Sequence, residues 1–259
     1  MSDDAANEVV ASLGNYKMYL DTQARLDRYS AINTLLIFHQ FPNATKLKSF
    51  EDWRSDNVKI NKGAKSISIL EPVEYVRNDG SSGIAYNVKK MFDVSQTSAN
   101  SNDSQGFNVS PKEFIVTLLE NSGMEVESKN DLPYEGLIAY FDEHDQKIYL
   151  KSGVGDVVLL ANHIAREVSL AEFANKDENY ERSMYAQKAN SVAYMLCKKY
   201  GVEIKDLKFD RLPQELNAKE PKEIKAELTQ MRNTLSEMNN RLSDALYQKR
   251  QERQKAYER

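Results

Sequence analysis

The sequence predicts an α+β protein made of two small domains and a C-terminal helix or coiled coil. A polar stretch separates two segments, each of which mixes helical and strand-like patterns, and a heptad spacing follows the second segment. The 259 residues are 41% hydrophobic and 29% charged, which is the composition of a globular protein with true cores. The predicted boundaries are 1–97, a flexible linker at 98–110, 111–216, and 217–259.

The first domain is predicted to be helices followed by a small sheet. The helical pattern of 16–41 changes direction near Ser30, which is a suitable N-cap for a second apolar helix. A short helix is expected at 50–58 around Trp53. Two β-rich runs, SISILEPVEYV and GIAYNVKKMFDV, flank the turn signal NDGSSG and predict a hairpin.

The second domain is predicted to be helix, hairpin, helix and helix. Pro111 is a suitable first residue for a helix that follows Ser110. Two strand-like runs then meet at the acidic turn 142–146. Helices are expected at about 154–173 and 180–200, and Gly201 would end the second of them as the C′ residue.

The segment 217–259 carries apolar residues at alternating steps of four and three, which is a heptad seam. Two interpretations remain open. The helix packs on its own domain, or it mediates self-association or binds a helical protein partner. The seam residues are Ile224, Leu228, Met231, Leu235, Met238, Leu242 and Ala245.

Composition limits the chemistry and the partners. One cysteine and three histidines exclude a disulfide framework and a Cys/His zinc finger. No apolar run is long enough for a membrane span, and no secretory signal is recognisable, so we expect a cytoplasmic protein with no membrane partner. Residues 46–65 hold six basic and three acidic side chains, and this surplus indicates nucleic-acid binding.

The most informative motif of the second domain is His163-Ile164-Ala165-Arg166-Glu167. Zinc peptidases with the HExxH motif place two histidines one helical turn apart as ligands, and the glutamate after the first histidine is the general base. Here Ile164 stands at the position of the base and Glu167 at that of the second ligand.

This motif and its surroundings resemble the antirestriction ArdC family of conjugative elements. In that family the zincin-like helix is followed by A-E-S-x-A-Y, a cysteine and a glycine, and this chain has ANSVAYMLCKKYG at 189–201. The resemblance would make position 190 the third metal ligand, but the residue there is Asn190. It therefore implies a degenerate metallopeptidase domain with no catalytic residue, no metal and no cofactor.

The first domain resembles the single-stranded-DNA-binding domain of the same family. The shared motifs are YSAINTLL at 29–36, QFPNAT at 40–45, Trp53, KGAK at 62–65, ILEP at 69–72 and MFDVSQT at 91–97. The resemblance implies that single-stranded DNA is the partner. The candidate DNA-binding residues are Arg28, Tyr29, Ser30, Asn33, Trp53, Lys59, Lys62, Lys65, Gln96 and Thr97. Each could instead be an ordinary core, cap or surface residue.

Three functions follow from these observations. The favoured hypothesis is a non-catalytic protein of a plasmid or conjugative element that binds single-stranded DNA in antirestriction or DNA transfer. A scaffold that acts through its coiled coil is the alternative. An active zinc peptidase would need His163, Glu167 and a third ligand such as Asp177 or Glu178, together with a new base.

Overall fold

The structure is a computed structural model, and it confirms the predicted α+β class. Two compact units are present. One comprises Met1–Gln105 and Glu220–Lys225, and the other comprises Gly106–Lys219 and Ala226–Arg259. Among the described residues, no helix is both long and apolar enough to cross a lipid bilayer. The described residues are 1–99, 108–207, 209, 211–213, 216 and 218–257.

The first unit begins with three helices, α1 (Ser2–Val10), α2 (Leu13–Arg25) and α3 (Ala31–Gln40). The Ser12 side chain caps α2 by accepting a hydrogen bond from the Asn15 N–H at 3.1 Å. Ser30 caps α3 in the same way, through the Asn33 N–H at 3.2 Å. The predicted change of direction at Ser30 is therefore the start of α3, because the cap satisfies a backbone N–H that the helix leaves free.

A three-stranded antiparallel sheet completes the first unit, in the order β1-β3-β2. Its inner face packs Leu47, Ile67, Ile69 and Met91 against Ile37 of α3. The sheet residues alternate between the two faces, so one face is buried and the other is open. The elements are β1 (Leu47–Ser49), α4 (Phe50–Ser55), β2 (Ile67–Val76) and β3 (Ser82–Asp93).

The second unit packs helices with a small mixed sheet of order β4-β6-β5. β5 and β6 form the predicted hairpin, while β4 pairs in parallel with β6. Gly201 ends α7 at φ 71°, and its N–H and that of Val202 return to Lys198 and Cys197 as in a Schellman motif. The elements are α5 (Pro111–Glu120), β4 (Glu125–Lys129), β5 (Ala139–Asp142), β6 (Lys147–Lys151), α6 (Val157–Ala174) and α7 (Arg182–Lys199).

The heptad segment is one long helix, α8 (Pro221–Tyr257). Its seam is buried inside the chain, because Ile224, Leu228, Met231, Leu235, Met238 and Leu242 are each at most 2% exposed. In the second unit, the Ser169 hydroxyl donates to Met238 Sδ at 3.6 Å, and Tyr200 donates to Asn239 Oδ1 at 2.8 Å. The structure thus has the docked helix, and the seam is not free to contact a second chain in this conformation.

The predicted linker lies largely outside the described residues, since 100–107 are among those not described. At one described end, the Ser98 N–H donates to the Lys59 carbonyl at 2.8 Å. At the other, Val109 is buried and its N–H donates to the Tyr200 carbonyl at 3.2 Å. These two described ends belong to the folded units.

Candidate functional site

Helix α6 presents the degenerate peptidase motif. Asp156 caps the helix by accepting hydrogen bonds from the N–H groups of Val158 and Leu159 at 3.1 and 3.0 Å. His163 and Glu167 then lie one turn apart on the same side of the helix. Ile164 is fully buried and carries no group that can transfer a proton.

Glu167 is a fully buried carboxylate whose acceptor sites are already in use. Arg182 Nη2 donates to its two oxygens at 2.9 and 2.7 Å, and Arg166 Nε donates to Oε1 at 3.2 Å. The Phe141 N–H on β5 adds a fourth hydrogen bond, to Oε2 at 2.9 Å. Charge-assisted hydrogen bonds of this kind are the strong ones, so this carboxylate is firmly held by the protein.

His163 has both ring nitrogens engaged. An arginine can only donate, so the 3.1 Å contact with Arg166 Nη2 makes Nδ1 the acceptor. The other nitrogen, Nε2, therefore carries the proton and donates to Asp206 Oδ2 at 2.8 Å. Burial, together with the nearby Arg166, lowers the pKa of His163 and favours the neutral ring. Neither nitrogen has a lone pair left for a metal ion.

The residues at this site do not fit a divalent metal ion. Two guanidinium groups already supply the positive charge that balances Glu167, so a cation would meet repulsion. Asn190, at the third ligand position of the family motif, offers only a neutral amide. Within the part of the chain that the structure describes, no group of three or more His, Cys, Asp or Glu side chains could hold a metal.

The substitute ligands considered for an active peptidase do not join this cluster. Asp177 accepts hydrogen bonds from the Tyr185 hydroxyl at 2.5 Å and the Asn179 N–H at 3.0 Å. The Tyr185 hydrogen bond lowers the pKa of Asp177. Glu178 is exposed. We therefore derive no hydrolytic step for this site.

The sequence prediction missed Arg182 and Asp206, the partners that define the cluster. Arg182 is the first residue of α7, where a cation is unfavourable beside the positive end of the helix dipole. That placement was a usable signal that Arg182 pairs with something else. Nothing in the sequence indicates Asp206, because its position beside His163 depends on tertiary contacts. Asn162 holds the segment 203–206 through hydrogen bonds to the Glu203 carbonyl at 2.9 Å and from the Lys205 N–H at 2.8 Å.

Several of the predicted DNA-binding residues have structural roles in the first unit. Asn33 exchanges two hydrogen bonds with the backbone of Leu70, both at 2.8 Å. Gln96 accepts from the Asp93 N–H and donates to the Lys65 carbonyl. Thr97 is buried and donates to the Val94 carbonyl at 2.7 Å. Together with the N-cap Ser30, these residues thus have structural roles that the fold explains.

Trp53 cannot stack on a base in this conformation. Its side chain is 2% exposed, and its indole N–H donates to the Phe92 carbonyl at 2.9 Å. Tyr29 is half-buried and packs against the core of the sheet, and burial raises its pKa. The predicted stacking role is therefore wrong for Trp53, because the indole fills the space between α4 and β3.

The predicted basic residues remain on the surface. Lys59, Lys62, Lys65 and Arg28 are all exposed. The backbone of Lys59 and Lys65 borders the segment 94–98, through the hydrogen bonds of Ser98 and Gln96 at 2.8 Å each. Lys46 borders it too, since its carbonyl accepts from the Val94 N–H at 2.9 Å. We call Lys46, Lys59, Lys62 and Lys65 the lysine cluster.

Comparison with known proteins finds similarity in fold but not in sequence. No protein-family model matches the sequence, and no curated protein is similar to it. Among solved structures, the fold matches the ArdC protein of plasmid R388. Its metal-free crystal structure has a TM-score of 0.64 at 13% identity, and its Mn(II)-bound structure has 0.66 at 12%. Each match covers 95% of this chain and 97% of that chain. The resemblance predicted from the sequence motifs is thus confirmed for the fold.

Proposed function

We propose that this chain is a non-catalytic antirestriction protein of a plasmid or conjugative element, which acts in the cytoplasm by binding single-stranded DNA. The shared fold with the R388 ArdC protein over nearly the full length of both chains supports the antirestriction role. The observation that carries the non-catalytic part is the saturation of Glu167 by Arg182, Arg166 and the backbone of Phe141.

The lysine cluster supports the DNA-binding part. The four lysines have no ion-pair partner among the described residues, so their charges are free to meet phosphates. Lysines without ion-pair partners that lie near one another produce a local positive potential, even though residues 1–97 have no net charge. Phosphate contacts made in this way do not depend on sequence.

The test is the affinity of the full chain for a labelled oligothymidylate and for a duplex, at two salt concentrations. We expect the single strand to bind, with an affinity that falls as salt rises. Reversing the charge at Lys59, Lys62 and Lys65 together should weaken binding and flatten the logarithmic salt dependence by about 2, since each single-strand phosphate contact contributes about 0.7.

Exposed lysines elsewhere on the chain provide the matched control. Charge reversal at Lys112, Lys151 and Lys222 changes the net charge by the same amount and should leave the salt slope close to that of the wild type. If the wild-type chain does not bind the single strand even at low salt, the DNA-binding proposal is wrong.

A further inference from the structure

The hairpin of the first unit extends beyond the three-stranded sheet as a two-stranded arm. Strand β1 pairs with β3 only at residues 91–93, whereas β2 pairs with β3 from Ile67↔Met91 out to Val76↔Ser82. Residues 71–76 and 82–88 consequently have no third strand beside them. We call residues 70–76 and 82–88 the hairpin arm.

The register divides the arm into two faces, because directly paired residues point to the same side and alternate along each strand. The face that continues the buried side of the sheet carries Tyr75 opposite Gly83. The other face, which we call the outer face, carries three successive pairs: Leu70↔Val88, Pro72↔Tyr86 and Glu74↔Ile84.

The outer face carries exposed apolar side chains. Tyr86 is 62% exposed, and Ile84 and Val88 are each 61% exposed. Among the described residues, the side chain of Tyr86 has neither a ring contact nor a hydrogen-bond partner. Contiguous exposed apolar surface of this kind is typical of a binding surface.

The opposite face differs, because its aromatic side chain, Tyr75, contacts other residues of the hairpin. The ring of Tyr75 lies over Gly83, so closely that a Cβ at Gly83 would come within 2.7 Å of the ring. The Arg77 guanidinium lies 5.7 Å from the centre of the Tyr75 ring. Tyr75 thus has partners on the arm itself and is 40% exposed, whereas Ile84, Tyr86 and Val88 of the outer face are 61–62% exposed.

Basic residues continue the outer face toward the base of the sheet. Lys90 pairs with Ser68, next to the Leu70↔Val88 pair, and its ammonium donates to Ser68 Oγ at 2.8 Å. Lys90 has no ion-pair partner among the described residues. Beyond the end of β3, Lys46, Lys59 and Lys65 of the lysine cluster border the segment 94–98. Positive charge therefore lies at one end of the outer face and exposed apolar side chains at the other.

From this charge pattern we infer that the outer face of the hairpin arm binds the bases of a single-stranded nucleic acid. Tyr86 stacks on a base, Val88 and Ile84 pack against its neighbours, and Lys90 together with the lysine cluster holds the phosphates. A duplex keeps its base faces stacked inside, so it cannot use Tyr86. The inference rests on the proposed function and assigns the base contacts to Ile84, Tyr86 and Val88, which lie outside the family motifs.

The test compares single tyrosine variants of the full chain in oligothymidylate binding. Tyr86→Ala should weaken binding by about tenfold or more, and Tyr86→Phe should bind nearly as the wild type does, because stacking needs only the ring. Tyr247 is 63% exposed on α8, so Tyr247→Ala removes an equally exposed ring and should have no effect. The fluorescence of the single buried tryptophan, Trp53, reports whether each variant is folded.

The salt dependence separates the two kinds of contact. Tyr86→Ala should leave the salt slope unchanged, whereas Lys90→Glu should weaken binding and flatten the slope. If the wild type binds the single strand and folded Tyr86→Ala binds it equally well, the arm proposal is wrong while the proposed function stands. The arm would then be left to a protein partner. If the wild type does not bind, the proposed function itself is wrong, and the arm proposal with it.

Discussion

Glu167 decides the chemistry of the candidate peptidase site. A buried carboxylate without partners would cost several kcal/mol, and here two arginines and a backbone N–H offset that cost. The same contacts remove the lone pairs that a metal ligand needs. Glu167 stands where the HExxH motif has its second histidine, and Arg182 stabilises the negative charge of Glu167. The site is therefore a structural ion pair.

Removing Arg182 should destabilise the second unit strongly. Arg182→Met leaves Glu167 buried with only Arg166 as a cationic partner, and the loss of one partner of a buried pair costs about 3–5 kcal/mol. Arg182→Lys keeps the charge but supplies a single ammonium in place of the planar guanidinium, so it should recover only part of the loss. Urea unfolding curves measure both differences.

The control is Lys176→Met, which breaks the exposed ion pair between Lys176 and Glu237. Pairs at that exposure contribute about 0–1 kcal/mol. Equal losses for Lys176→Met and Arg182→Met would show that the Glu167 cluster is not the buried ion pair described above.

His163 should make the protein less stable as the pH falls. Its pKa is lowered by burial and by Arg166, so the unfolded chain takes up the proton at a higher pH than the folded chain does. The stability is therefore fully present above the unfolded value of about 6.5 and is lost as the pH falls from there through the folded pKa. Unfolding free energies between pH 7.5 and 5 measure the loss.

The variant His163→Gln keeps a side chain that can bond Asp206 and Arg166 but does not titrate. Its stability should change less over the same pH interval. An identical pH dependence in the variant would assign the effect to a group other than His163.

At the scale of helices and strands, capping residues predicted the ends of elements better than hydrophobic periodicity predicted their presence. Ser30 and Gly201 mark observed ends of α3 and α7, because caps are local chemistry that the sequence shows directly. Helix α1 and strand β4 were not predicted. The sequence of β4, EVESK, has one apolar residue and so lacks the alternation that indicates a strand. All five residues are exposed, and the strand is held by its parallel pairing with β6.

The heptad of α8 illustrates a different limit. A seam of apolar residues requires only an apolar partner surface, and the sequence does not say whether that surface belongs to a second chain or to α5, α6 and α7. Burial of the seam decides this in the structure, because Leu228, Leu235 and Leu242 are each 1% exposed. Lys188 bonds Glu227 at 2.9 Å and Lys249 bonds Glu120 at 2.7 Å, within the second unit.

Shortening a seam residue should therefore unfold the second unit rather than dissociate an oligomer. Leu235→Ala removes a side chain that is 1% exposed and should cost about 2–5 kcal/mol of unfolding free energy. Asn240→Ala, at an exposed position of the same helix, should cost less than about 0.5 kcal/mol. Light scattering should give the same mass for both folded variants. A lower mass for Leu235→Ala at unchanged stability would restore the self-association hypothesis.

For the molecule as a whole, charge is distributed unevenly along the chain. Residues 111–217 contain 13 basic and 19 acidic side chains, a net charge of −6, whereas residues 1–97 contain 12 of each. An anionic partner is repelled by the first of these segments and attracted by the lysine cluster in the second. Even though the chain as a whole is acidic, the predicted contact with DNA is thus confined to the first unit.

At the scale of the whole chain, we expect the response to metal ions to differ from that of the R388 protein, for which a Mn(II)-bound structure exists. A ligand that binds the folded state raises the melting temperature. We expect the wild type to bind neither Mn²⁺ nor Zn²⁺, so an excess of either ion should leave its melting temperature unchanged.

Ile164→Glu, Glu167→His and Asn190→Glu together restore the HExxH ligands and base. Arg182 and Arg166 would still repel the ion, so we expect little gain. Adding Arg182→Ala removes one of these charges. That variant should be stabilised by about 2.7 kcal/mol when free metal reaches 100 times its Kd. Stoichiometric metal in the purified wild type, measured by elemental analysis, would contradict the description of the site.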